Sequence, residues 1–203
     1  MEHAINDAGF HIEETDKRPE FLAMKKYIVG LGMDIGCGTN RLSPTVITTD
    51  WYPHSDADLI WNCVPEAKPG EQRYFYQYPF REDRFDFIFA SHVLEDFAPD
   101  EIQLVFDEWL RMIKPGGHLI ILVPDIAGGR YPGIDEVFTN EDNEVKEGKR
   151  QAGELKGNPS HRVNMGVDYM NKLVAESKYK LEIVQFDTIP HSTMTLDFVL
   201  KKL

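Results

Sequence analysis

The sequence predicts an α/β protein built on a mostly parallel, seven-stranded sheet covered on both faces. Three observations carry that prediction. Short apolar, β-branched runs recur along the chain, and segments of helical periodicity lie between them. The runs are nearly continuous in apolar character rather than alternating, as strands buried on both faces are. Two hundred and three residues, 42% hydrophobic and 28% charged, fit one ordinary globular domain, so residues 1–203 are read as a single unit.

The elements follow in order. Residues 1–27 are polar, with Pro19 opening a short helix through Phe21, Leu22 and Tyr27. Leu31–Ile35 is the first strand and runs into glycines. Val46–Thr49, ending at Asp50, is the second; Asp58–Cys63 is the third, and Phe85–Ala90 the fourth. Ile102, Val105, Phe106, Trp109, Leu110 and Ile113 recur at the spacing of one helical face. Pro99 suits that helix's first turn, where Asp100 and Glu101 complement the dipole. Lys114-Pro115-Gly116-Gly117 ends the helix and turns the chain into a fifth strand, Leu119–Val123, stopped by Pro124. Residues 126–160 then break the pattern: Ile126–Pro159 holds six glycines and two prolines with little periodicity, which marks a lid or substrate insertion. A helix at Val167–Ser177 and strands at Lys180–Phe186 and Thr193–Leu200 complete the chain.

Composition bounds the function. The net charge of −12, with Lys and Arg clustered no further than pairs such as Lys149-Arg150 and Lys201-Lys202, argues against nucleic-acid binding. No apolar run reaches the length of a membrane span, and the acidic start of the chain does not resemble a secretion signal. The two cysteines, Cys37 and Cys63, form neither a disulfide framework nor a Cys-rich metal site. A cytoplasmic protein without a metal is expected, as a monomer or homodimer.

The chemistry concentrates where strands end, because open parallel sheets bind ligands outside their carboxyl edges. Gly36-Cys37-Gly38 follows the first strand, and Asp50 ends the second, where an acid can accept hydrogen bonds from a ribose diol. A dinucleotide fingerprint requires a third glycine, but Arg41 stands there when counting starts at Gly36 and Ile35 when it starts at Gly30. A phosphate loop would need Gly-Lys-Ser/Thr, which is absent.

Four segments together resemble one family. Gly32-Met33-Asp34-Ile35-Gly36-Cys37-Gly38 is similar to the first motif of class I S-adenosylmethionine-dependent methyltransferases. Tyr78–Asp86 resembles that family's loop into its fourth strand, Ser91-His92-Val93-Leu94-Glu95 the segment leaving it, and Leu110–Gly117 the turn before its fifth. The resemblance spans about residues 31–125. It implies a Rossmann-like three-layer sandwich with an antiparallel last strand, and S-adenosylmethionine as cofactor with S-adenosylhomocysteine as product. It also implies roles. Gly36, Cys37 and Gly38 hold the methionine moiety, oriented by Asp34; Asp50 takes the ribose hydroxyls; Asn62 and Cys63 lie beside the adenine; Ser91 and His92 face the sulfonium end or the substrate.

Three departures mark this chain. Only eleven residues separate Gly38 from Asp50, too few for the usual full helix. Val64–Gln77 reads as an insertion, and Asp96 stands where relatives often carry a second histidine. The activity expected is methyl transfer to a small-molecule acceptor, such as a sugar, natural product or other metabolite, by direct displacement. A non-catalytic S-adenosylmethionine-binding partner or regulatory protein, or a protein methyltransferase, is the alternative. His92 and His161 are the candidate bases, although His92 could equally serve only local packing. Asp125, Tyr131 and Arg162 are the candidate substrate contacts. Glu95 could meet substrate or cap its turn. His118 reads as structural, and Trp61 and Trp109 as core.

Overall fold

The computed structural model describes residues 19–203 except 40, 54, 56, 65–74, 126–161, 164 and 189–194. Tyr131, His161 and the whole of the 126–160 insertion lie outside the described residues. Helix α1 spans Pro19–Met24 and continues as a 3-10 turn over Lys25–Tyr27. Strands β1 (Gly32–Ile35), β2 (Ile47–Asp50), β3 (Leu59–Ile60) and β4 (Phe85–Ser91) follow. A 3-10 turn at Leu94–Asp96 leads to α2 (Ile102–Met112) and β5 (Ile113–Pro124). Helix α3 (Val167–Glu176), β6 (Leu181–Phe186) and β7 (Thr195–Lys202) end the chain.

The seven strands form one sheet in the order β3-β2-β1-β4-β5-β7-β6. Neighbours from β3 to β5 run parallel, and β7 runs antiparallel to both β5 and β6, the expected reversed last strand. Strand order changes direction between β1 and β4, which opens a crevice at their carboxyl ends.

Side chains leave the sheet to two cores. One face packs Met33, Ile35, Ile88, Ala90, Leu119, Ile121 and Val123 against α2 and α3. The other packs Phe87, Phe89, Ile120 and Leu122 against Met24 and Ile28. Phe85 and Phe87 are two residues apart, yet they lie on opposite faces. The pairing with β5 is irregular between them, so regular alternation does not hold across this step. The facing strand carries its counterpart: β5 begins at Ile113, opposite Phe85, and next pairs His118 with Phe87. The Lys114–Gly117 turn is therefore absorbed within β5, with Gly116 at φ +83°, rather than preceding it. Strand β3, by contrast, holds only two residues of the expected Asp58–Cys63 run, because Cys63 turns into the core.

Helix α2 shows why its sequence folds as it does. Ile102, Val105, Phe106, Trp109, Leu110 and Met112 are fully buried, and each such large side chain contributes about 1.5–3 kcal/mol. The Glu101 carboxylate accepts the Ala98 N–H at 2.8 Å, the returning half of a capping box around Pro99. At the far end Lys202 Nζ donates to the carbonyls of Leu110 (3.0 Å) and Ile113 (2.7 Å) and to Asp83 Oδ1 (2.8 Å). Trp109 is core as expected; Trp61 is half-buried against that core, 6.3 Å from the Tyr78 ring. His118 packs on the Tyr27 ring at 5.1 Å, and burial and Lys201 hold its imidazole below the ordinary value. No helix among the described residues is long and apolar enough to cross a membrane.

Candidate cofactor and acceptor site

The glycine turn forms where β1 stops. Gly36 and Gly38 adopt φ of +71° and +54°, the left-handed region that glycine enters without penalty. The amides of Gly36 and Cys37 donate to the Thr49 carbonyl at 2.8 and 3.3 Å, tying the turn to the end of β2. The two glycines differ in surroundings. A Cβ on Gly36 would lie 2.2 Å from Val93 Cγ2, whereas one on Gly38 would meet nothing within 4 Å. Gly36 thus seats the turn against the loop after β4, and Gly38 leaves open space where a ligand can reach the backbone.

Two buried carboxylates organise the short path from the turn to β2. Asp34 Oδ2 accepts the Leu42 N–H at 3.0 Å. Asp50 accepts the Gly38 N–H on Oδ2 and the Tyr52 N–H on Oδ1, both at 2.8 Å. Among the described residues of 39–46 no helix forms, and these bonds do its organising work. A carboxylate oxygen has two acceptor directions, so Asp50 retains capacity for a diol beside these amides. Arg41 Nη2 pairs with Asp58 Oδ2 at 2.8 Å, and Thr48 donates to the same oxygen from both its N–H and its hydroxyl. This clasp of β2 to β3 was not anticipated from sequence; no local pattern joins Arg41 to Asp58.

Both cysteine thiols are buried. Burial, with Asp34 and Asp50 nearby, pushes the Cys37 thiol up to about 11. Burial pushes Cys63 up to about 12, and its side chain is 1% exposed in the core beside Tyr78. The Cys63 carbonyl accepts the Tyr76 N–H at 2.8 Å. Asn62 Oδ1 accepts the Val64 N–H at 2.9 Å, a local turn at the end of β3.

At the end of β4, beyond a half-buried Ser91, the chain makes its sharpest departure. His92 has φ +57°, uncommon outside glycine, and its N–H donates to the Leu122 carbonyl at 2.8 Å. Its Nδ1 lies 3.5 Å from Glu95 Oε1 and its Nε2 lies 3.3 Å from Thr195 Oγ1. Glu95 is fully buried, and its backbone carbonyl accepts the amides of Arg162 (2.7 Å) and Val163 (3.2 Å). That pair of bonds brings Arg162, from beyond the 126–160 insertion, to the loop after β4. Asp125, 4% exposed, follows Pro124, which is paired with Thr195. Asp34, Gly36, Gly38, Asp50, His92, Asp125 and Arg162 thus gather at one end of the sheet. Thr195 joins them unforeseen, since its contact with His92 spans 103 residues of sequence.

This arrangement suits S-adenosylmethionine. The open side of Gly38 is the cradle a Cβ would narrow, and Asp50 and Asp34 stand at its two shoulders. Comparisons agree. Residues 33–121 match the model of the methyltransferase domain family. Among solved structures, a protein of Pyrococcus horikoshii superposes with a TM-score of 0.60 at 16% identity, covering 90% of this chain and 86% of that one. A S-adenosylmethionine-dependent methyltransferase of Thermotoga maritima gives 0.54 at 17% identity, covering 91% and 88%. The phosphoethanolamine N-methyltransferase 1 of Haemonchus contortus, solved with phosphoethanolamine and S-adenosylhomocysteine, gives 0.59 at 14% identity, covering 91% of this chain and 42% of that one. A search of curated proteins finds no match. With the methyltransferase-domain match at residues 33–121 and the sheet order that surrounds it, the chain is similar to the class I S-adenosylmethionine-dependent methyltransferases and shares their fold.

Proposed function

We propose that this methyltransferase acts on a small-molecule acceptor, seated between His92, Arg162 and Asp125 at the carboxyl end of β4 and β5. The observation that carries the reading is the docking of Arg162 and Val163 on the Glu95 carbonyl. It brings a residue whose side chain can meet an anionic or hydroxyl group to the loop that bears His92. The net charge of −12 disfavours RNA as the acceptor. The Haemonchus contortus relative, which holds phosphoethanolamine on the same fold, supports a small acceptor.

The cofactor supplies a methyl group on a positively charged sulfur, already a strong electrophile. Alignment is then the main task left to the protein. Gly36 and Gly38 shape the bed for the methionine moiety, Asp50 holds the ribose diol, and Asn62 with the Cys63 main chain borders the adenine. His92 and Arg162 orient the acceptor.

Two measurements test the reading. Asp50→Ala should weaken S-adenosylhomocysteine binding by calorimetry about 10–100-fold, the loss of one or two charge-assisted hydrogen bonds. An unchanged affinity refutes the ribose assignment. With methyl-labelled S-adenosylmethionine and a cell extract, label should enter the low-molecular-weight fraction in a protein-dependent manner; label confined to polypeptide refutes the small-molecule acceptor.

A further inference from the structure

The contacts around His92 point beyond a bare positioning loop. Its imidazole is held between two side chains from different parts of the fold: Glu95, three residues on, and Thr195, the first residue of β7. Its ring keeps 38% of its surface exposed, so a third molecule can still approach. The neutral imidazole carries one N–H, and its neighbours decide which nitrogen bears it. A carboxylate only accepts. With Glu95 Oε1 at 3.5 Å from Nδ1, the proton belongs on Nδ1, because the opposite tautomer would set a lone pair against a carboxylate oxygen. Nε2 is then the acceptor, and the Thr195 hydroxyl, 3.3 Å away, is the donor to it.

Further observations bear on this contact. Glu95 is fully buried, so its contact with the imidazole is little screened by solvent. Its backbone carbonyl accepts the Arg162 and Val163 amides, so the loop that bears His92 is also fixed through Glu95. His92 itself is held at φ +57°, and backbone strain of this sort concentrates at working sites.

We propose that Glu95 is a positioning residue that fixes the His92 tautomer so that Nε2 serves as base, and hence that the acceptor presents a hydroxyl group. This rests on the reading above that His92 faces the acceptor. A neutral amine can attack a sulfonium methyl unaided, whereas a hydroxyl gains from losing its proton as it attacks. The acceptor oxygen gives its proton to His92 Nε2 and forms the new O–CH3 bond. The CH3–S bond breaks with its electron pair left on sulfur, giving S-adenosylhomocysteine. The imidazolium, its positive charge facing Glu95, later releases the proton to water. The acceptor O–H takes the place of the Thr195 hydroxyl on the single lone pair of Nε2, from the direction that Thr195 Oγ1 marks.

The test begins without substrate. Ring-nitrogen NMR of the wild-type protein in mildly alkaline buffer, with His92 assigned by loss of its signal in His92→Gln, should show the proton on Nδ1. In Glu95→Gln, whose amide can donate as well as accept, the population should move towards Nε2–H. A wild-type imidazole protonated on Nε2, or a tautomer indifferent to Glu95→Gln, overturns the proposal; the wild-type spectrum decides even if the variant does not fold. With a working acceptor, Glu95→Gln should lower kcat about 10²–10⁴-fold, with S-adenosylhomocysteine affinity unchanged and partial recovery in Glu95→Asp. Efficient turnover of an amine by both forms overturns the hydroxyl assignment. Failure of the wild-type protein to bind S-adenosylhomocysteine would instead refute the underlying functional reading, and leaves the tautomer result standing.

Discussion

At the scale of single residues, the two glycines of the turn do different jobs. A Cβ at Gly36 would sit 2.2 Å from Val93 Cγ2 on a backbone at φ +71°, so two costs combine. The left-handed conformation alone costs a non-glycine residue about 1–2 kcal/mol, and the clash must displace the loop that carries His92. Gly36→Ala should therefore weaken S-adenosylhomocysteine binding at least about tenfold by calorimetry. Adding Val93→Ala should restore part of the loss, because the sites touch and their effects will not add. Full additivity of the two changes would show that strain, not contact, governs the turn. The glycine motif was legible because an αL turn restricts its sequence. Thr195 was not, since nothing local distinguishes a threonine that opens a strand from one that meets a histidine 103 residues away.

At the scale of elements, α2 was legible because one buried stripe at helical spacing admits few alternatives, and Pro99 with Glu101 marks its start. The edges of β3 and β5 were less so. Lys114-Pro115-Gly116-Gly117 has the composition of a turn, yet pairing of Ile113 with Phe85 draws it into the strand as a bulge, an outcome decided by the neighbour. Strand β3 is short because its beginning is held by side chains instead: Asp58 by Thr48 and Arg41. Burial raises the Asp58 carboxyl, but the Thr48 N–H, the Arg41 guanidinium and the Thr48 hydroxyl outweigh it and hold the group below its ordinary 3.8. A carboxyl depressed on folding stabilises the fold above its unfolded value, and that contribution fades as pH falls through the lower folded value. Asp58→Asn should thus lower the melting temperature at neutral pH and flatten its decline below about pH 4, measured by thermal unfolding across pH. Parallel pH profiles for the two proteins would remove Asp58 from the acid response.

At the scale of the whole molecule, the antiparallel register of β7 divides labour between the ends of the sheet. Thr195 pairs with Pro124 at the ligand end, while Lys201 pairs with His118 at the other, so one strand carries a contact to His92 at its start and Lys202 at its finish. Lys202 is 7% exposed, and its ammonium spends three donors on the Leu110 carbonyl, the Ile113 carbonyl and Asp83. It joins the end of β7 to the end of α2 and the start of β5. Lys202→Met keeps the aliphatic stem and removes the charge, which leaves two buried carbonyls without this donor. The Leu110 carbonyl keeps the Ile113 N–H, so the Ile113 carbonyl is the acceptor left short, at about 1–3 kcal/mol less what water recovers. For a chain of this length, 1 kcal/mol moves the melting temperature roughly 2–4 °C, so a fall of about 2–10 °C is expected. Below that transition, S-adenosylhomocysteine affinity should match the wild type, because the lost bonds lie at the sheet end away from Gly36 and Asp50. Mutations at the ligand end should show the reverse, with affinity lost before stability. A Lys202→Met protein that binds more weakly while still folded would mean that the two ends are coupled through β7, and that the last strand transmits strain as well as closing the sheet.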